Sequence, residues 1–195
     1  KAPLHDRYTM EHDFLSDDER SLIDGMTLII NAFFGWDFNS CELLHRKGEW
    51  MPIDFANPCP DSQVTSLHYH FPWIIEANLR WSIFAATTRR RVIPLEWPRY
   101  FDAVEEGMTL RERIDALMPL ARARFDADHF EEFCAEHLGH LDEVAHEWFG
   151  TDEAHDAVRR KVAALFPPHE VEEFTEVFYD RIQQWRDDAA AGVKP

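Results

Sequence analysis

Residues 33–39 read Phe33-Phe34-Gly35-Trp36-Asp37-Phe38-Asn39, and residues 53–60 read Ile53-Asp54-Phe55-Ala56-Asn57-Pro58-Cys59-Pro60. The first run closes a helical pattern. Leu22, Ile23, Met26, Ile29, Ile30 and Phe33 recur at helical spacing behind Ser16 and Glu19, a pair that fits a capping box. Gly35 ends that helix, and the period then changes. Residues 36–44 predict one strand, Arg46-Lys47-Gly48 a turn, and residues 49–55 a second strand weakened by Pro52. Asn57-Pro58-Cys59-Pro60-Asp61-Ser62 predicts an irregular loop, because proline and the residue before it resist helix.

This hairpin carries an acid near each open end, Asp37 on the first strand and Asp54 on the second. Antiparallel pairing would bring those ends together, and like charges side by side repel unless a cation lies between them. With the carboxamide of Asn57 the set is all oxygen, which suits a hard cation such as Mg²⁺ or Mn²⁺ that also keeps waters or phosphates. The alternative is that both acids are solvated strand-end residues. Asn57 follows Asp54 by three residues, which in a regular strand puts the two on opposite faces, so a bulge or the start of the loop must re-aim it. Asn39, two residues after Asp37, is a reserve ligand.

The segment resembles the end of the catalytic domain of the ATP-grasp superfamily, whose members are mostly ATP-dependent carboxylate–amine or carboxylate–thiol ligases. That family closes its site with a helix, a Gly-x-Asp strand, a short turn, and a strand ending in Glu-x-Asn before a proline-bearing loop. Gly35-Trp36-Asp37 matches the first part, and Asp54 with Asn57 falls where the second acid and the asparagine belong, with Asp for Glu and one extra residue between. The resemblance spans roughly residues 10–90. It implies that Asp37, Asp54 and Asn57 hold the magnesium that bridges the nucleotide phosphates. It also implies that Ser66, and with it His68, in the loop beyond face the acceptor substrate. His5 and Arg7 sit where a phosphate or carboxylate contact could fall, or else are solvated. The glycine-rich phosphate loop and the strand lysines of the family are not visible in the chain. With Lys1 as its first residue, the chain reads as a processed product or the C-terminal part of a longer enzyme, which would bind ATP, an unknown carboxylate and an amine acceptor. The missing N-terminal part would be its first partner, and a homo-oligomer is possible.

The rest of the chain predicts α+β architecture: a C-terminal piece of an ATP-grasp lobe over residues 1–92 (helix, β-hairpin, helix), then an all-helical region over 93–195. Arg89-Arg90-Arg91 and the prolines at 94 and 98 mark the expected boundary. Helices are expected at about 98–106, 109–124, 127–149, 151–165 and 168–187. Residues 127–149 offer a rival constellation, with His129, His137, His140 and Glu143-Val144-Ala145-His146 in the Glu-x-x-His spacing of di-iron bundles. At about 100° per residue Glu143 and His146 fall away from the apolar face, while His137 falls on it and reads as a buried histidine.

The composition narrows the classes further. The chain has 195 residues, 37 acidic and 20 basic side chains, and a formal net charge of −17, which argues against gripping phosphate backbones of nucleic acid. Fifteen Phe and seven Trp need a core, so disorder is excluded. No apolar run reaches the ~18 residues of a membrane span, and no apolar leader segment is visible near Lys1. Three scattered cysteines with no C-x-x-C pair suit free thiols in a reducing cytoplasm. Three functions therefore stand at this level: part of an ATP-grasp-like ligase, an acidic helical interaction module, or a His/carboxylate metal bundle.

Overall fold

The computed structural model describes residues 8–11 and 14–193. The protein is α+β, a mostly helical chain with one two-stranded antiparallel hairpin. In order, the elements are α1 (Asp17–Phe34), β1 (Ser40–Arg46), β2 (Glu49–Asn57), α2 (Val64–Leu67), a 3₁₀ turn (His68–His70), α3 (Phe71–Thr87), α4 (Trp97–Asp102), α5 (Leu110–Phe125), α6 (Ala127–His137), α7 (Leu141–Trp148), α8 (Asp152–Ala163) and α9 (Val171–Ala190). No helix among the described residues is long and apolar enough to cross a membrane.

The chain divides into two units. One, the hairpin unit, joins Asp13–Pro60 to Arg89–Glu132; the other, the helical unit, joins Lys1–His12, Asp61–Thr88 and Phe133–Pro195. A division at residues 92 and 93 is therefore not what the contacts give. The reason is that α1 finds its packing partner in α5, far along the chain, rather than in α3.

In the hairpin unit α1 begins at a capping box, with Glu19 N–H donating to Ser16 Oγ and Ser16 N–H donating to Glu19. The Ser16 N–H and hydroxyl both donate to the Glu19 carboxylate, and with a bond from Trp50 Nε1 of β2 at 3.2 Å they hold it below the usual carboxylate range. The same bond ties the hairpin to the first turn of α1. Met26, Ile29 and Ala32 of α1 and Ile114, Ala121 and Phe125 of α5 are buried, and each large apolar side chain so covered contributes about 1.5–3 kcal/mol. The helices approach closely at Gly25, where a Cβ would lie 2.8 Å from Ile114 Cγ2. Gly35 ends α1 in the left-handed region at φ 71°, with Trp36 N–H returning to Asn31 O. Beyond it, Trp97 of α4 donates to Phe33 O, and Arg124 donates to Ile93 O and Pro94 O.

The helical unit closes over Tyr69, Phe149, Val158, Val162, Phe178, Ile182 and Trp185. Tyr69 donates its hydroxyl to Asp188 at 2.7 Å, joining the 3₁₀ turn to α9. The helix expected at 127–149 is two helices, since the chain turns at Leu138–His140 around Gly139.

Candidate functional site

The hairpin register decides which side chains can act together. Arg46 pairs with Glu49, His45 with Trp50, Leu44 with Met51 and Leu43 with Pro52; Glu42 then pairs with Asp54 and Ser40 with Asn57. The ladder slips twice, between Leu43 and Glu42 and between Glu42 and Ser40. In the second slip two steps along β1 are matched by three along β2. Directly opposed residues share a face, and so do residues two apart in a strand. Ser40 and Glu42 therefore share a face, and the bulge brings Asp54 and Asn57, three apart in sequence, onto it with them. This is the exposed side of the hairpin: Glu42, Asp54 and Asn57 are all exposed.

Asp37 does not face Asp54. It lies in a bend ahead of β1, exposed, because the left-handed cap at Gly35 and the bend at Asp37–Phe38 take up the residues expected to start the strand. The side chain opposite Asp54 is Glu42, which sequence reasoning passed over. Counting outward from Arg46 and Glu49 brings Asp54 to Cys41, and one bulge residue moves it to Glu42. That count was the available signal.

Asn57 donates from Nδ2 to Ser40 Oγ at 3.1 Å, so Oδ1, the atom a cation would take, has no partner among the described residues. Asn39 is occupied by the fold. Its Nδ2 donates to Asn31 Oδ1 and to Phe55 O, both at 2.9 Å, and its Oδ1 accepts from Asn57 N–H at 2.8 Å. It clips the end of α1 to the end of β2 at the point where the bulge aims Asn57.

Ser66 and His68 belong to the helical unit, whereas the oxygen set belongs to the hairpin unit. Ser66 is 7 % exposed, and its hydroxyl donates to Asp61 Oδ2 at 2.5 Å. Burial works against the Asp61 charge, but bonds from Ser66 and Gln63 outweigh it and keep that carboxyl below its ordinary range. His68 is 1 % exposed and accepts Tyr69 N–H at Nδ1. Its ring lies parallel to Phe178 at 6.4 Å, and its backbone holds φ at 33°, a strained value that costs about 1–3 kcal/mol. Both side chains are built into the start of this unit's core. His5 and Arg7 lie outside the described residues.

The histidine constellation does not converge. His137 is exposed rather than buried, packing edge-on to Phe133, and His146 Nε2 lies 3.2 Å from Arg186 O. Among the described residues no group of three or more His, Cys, Asp and Glu side chains is placed to hold a metal. The hairpin offers two carboxylates and an amide oxygen. These are hard oxygen donors, the type that divalent cations such as Mg²⁺ accept. No family model, curated protein or solved structure matches the chain.

Proposed function

We propose that the exposed end of the hairpin is the metal-binding edge of an ATP-grasp-like site, and that the protein is the C-terminal portion of an ATP-dependent carboxylate–amine ligase. The observation that carries this reading is the bulge between Asp54 and Asn57, which returns an acid and an asparagine spaced by three to the same-face relation of the family's Glu-x-Asn. Helix, left-handed glycine, acid, hairpin and proline loop follow in the order the resemblance implies. Glu42 adds a second carboxylate directly across from Asp54. In the proposed site Asp54, Asn57 and Glu42 would hold Mg²⁺ or Mn²⁺. Held there, the cation would supply positive charge to offset that of the phosphates during phosphoryl transfer to the carboxylate substrate. An amine would then displace the phosphate. In this scheme Ser66, through its bond to Asp61, supports the loop after the hairpin, and His68 fills the core behind it. By this reading the chain alone holds part of the nucleotide site and does not turn over.

Titration with Mn²⁺ followed by paramagnetic broadening of amide signals tests the metal site. Broadening should centre on Glu42, Asp54 and Asn57, strengthen with ATP, and vanish from that locus in Asp54→Asn. Broadening spread evenly over the acidic helix faces, unchanged in Asp54→Asn, would show a general counterion effect and sink the assignment.

A second reading, a protein-interaction module, is favoured by one observation. Val92 is 98 % and Phe101 65 % exposed, with Leu95 and Trp97 about half exposed between them, so one short stretch of the hairpin unit offers several large apolar side chains to solvent. Concentration-dependent sedimentation of the wild type that disappears in Val92→Ser/Phe101→Ser would support a partner or a second copy at that stretch.

A further inference from the structure

The helical unit holds a polar pocket that has no part in the hairpin site. Trp73, Glu76 and Arg80 of α3, Asp142 of α7, Trp185 of α9 and Val193 line a space of about 440 Å³. That is within the ~300–1,000 Å³ of typical small-molecule sites. Glu76 is 6 % exposed, and its Oε1 accepts no hydrogen bond among the described residues, while its carboxyl lies against that of Asp142. Its Oε2 lies 3.4 Å from Arg80 Nη1, a long contact, while Arg80 Nη2 is committed to Asp142. One guanidinium thus serves two carboxylates. Among the pocket residues α9 contributes Trp185 and Ala189 and no charge. A buried polar atom left unsatisfied costs about 1–3 kcal/mol, and such atoms are rare enough in folded proteins to ask for an explanation.

We propose that this pocket binds a small organic cation, an alkylammonium group that donates to Glu76 Oε1 and Asp142 and rests against the indole rings of Trp73 and Trp185. Once Glu76 is ionised, an ammonium brings both the donors that Oε1 lacks and the positive charge that one arginine does not fully supply. An anion would meet two carboxylates and an arginine already engaged. A neutral polyol would leave the excess charge in place. The tryptophans add cation–π attraction at no charge of their own.

Burial first, then the hydrogen bond and charge of Asp142, push the Glu76 carboxyl up to about 7 against the opposing pull of Arg80. Near and below neutral pH Glu76 therefore holds a proton. A cation that takes its place sends that proton to solvent: the Glu76 O–H bond breaks, the carboxylate pairs with the ammonium, and one H⁺ is released to buffer. Ligand binding and proton release are linked.

Calorimetry with 1,5-diaminopentane, and with 1,5-pentanediol as the uncharged match, tests this at 0.15 M salt in two buffers of different protonation enthalpy. The diamine should bind and the diol should not. Proton release should be evident at pH 6.5 and fade by pH 8.5, where Glu76 is already ionised. Glu76→Gln should weaken binding at least tenfold and abolish proton release. Asp142→Asn, at the exposed rim where folding is not at stake, should weaken it several-fold. Equal heats for diamine and diol, no binding at millimolar diamine by the folded protein, or full affinity in both variants would overturn the proposal. Failure here leaves the hairpin assignment untouched, because the Mn²⁺ titration reads other residues.

Discussion

Removing either charge of the Glu42–Asp54 pair should stabilise the protein when no cation is present and should remove its response to one. The two carboxylates are opposed across the ladder and exposed. If their charges stand about 6 Å apart in a water-like dielectric, the repulsion is about 0.7 kcal/mol. It falls to roughly half at physiological ionic strength and to near zero at 1 M salt. That sits within the range of about 0.2–1 kcal/mol for cross-strand pairs. Asp54→Asn and Glu42→Gln should each gain about 0.5 kcal/mol in urea unfolding at 20 mM salt and nothing at 1 M. The double variant should gain little more than either alone, since the same repulsion cannot be removed twice. Saturating Mn²⁺ should stabilise the wild type by mass action and leave the variants unmoved. If the two substitutions act additively, or destabilise equally at low and high salt, the carboxylates do not sense each other and the cation site fails with them.

Four further outcomes follow from the same geometry. Asn39→Ala removes two donated bonds and one accepted bond between α1 and β2, so melting should drop by an amount equivalent to about 2–3 kcal/mol. Unchanged melting would mean that the clip carries no strain-bearing role. Gly35→Ala must hold φ at 71° and meets Arg124 Nη2 at 2.7 Å and Leu95 Cδ2 at 2.9 Å; a loss above the ~1 kcal/mol of the backbone alone is expected in denaturant unfolding. Glu76, whose carboxyl is raised in the folded state, lowers stability as pH climbs from its unfolded value through about 7 and makes no difference below that window. Glu76→Gln should therefore be more stable than wild type at pH 8 and equal at pH 4, the gain being about 1–3 kcal/mol once relaxation around Arg80 is allowed for. Asp61 works in the opposite sense: Ser66→Ala should cost stability near neutral pH, and the penalty should shrink as pH falls through the depressed Asp61 range.

The local signals in the chain were reliable where they depended on neighbours. Ser16 and Glu19 mark the start of α1 as the capping box requires, Gly35 marks its end, and Lys47-Gly48 turns the hairpin. What escaped was set at a distance. The strand start moved from residue 36 to Ser40 because the left-handed cap at Gly35 is followed by a bend at Asp37–Phe38, and that displaced Asp37 from the pair. The bulge that gives Glu42 to Asp54 follows from the fit of β2 against β1, which no single strand reveals. Glu76 looks like an ordinary surface partner for Arg80 at the next helical turn, and only the packing of α7 and α9 shows it to be buried. At 127–149 the apolar period continued through Gly139, and the helix did not. The fold class was thus readable from the pattern, while the companions of each acid required the register and the packing.

The interleaving of the two units has a consequence for how the protein is made. A ribosome releases α1 and the hairpin long before α5, and it releases Tyr69 more than a hundred residues before Asp188, to which its hydroxyl bonds. Neither core can close until late segments emerge, so the nascent chain must carry Met26, Ile29, Tyr69 and Phe84 uncovered for much of its synthesis. Pairings of such separation slow folding and lengthen exposure to aggregation. A scissor placed at residue 92 would not yield two domains: it would leave α1 without α5 and the 3₁₀ turn without α9, two half-molecules each missing the piece that shuts it.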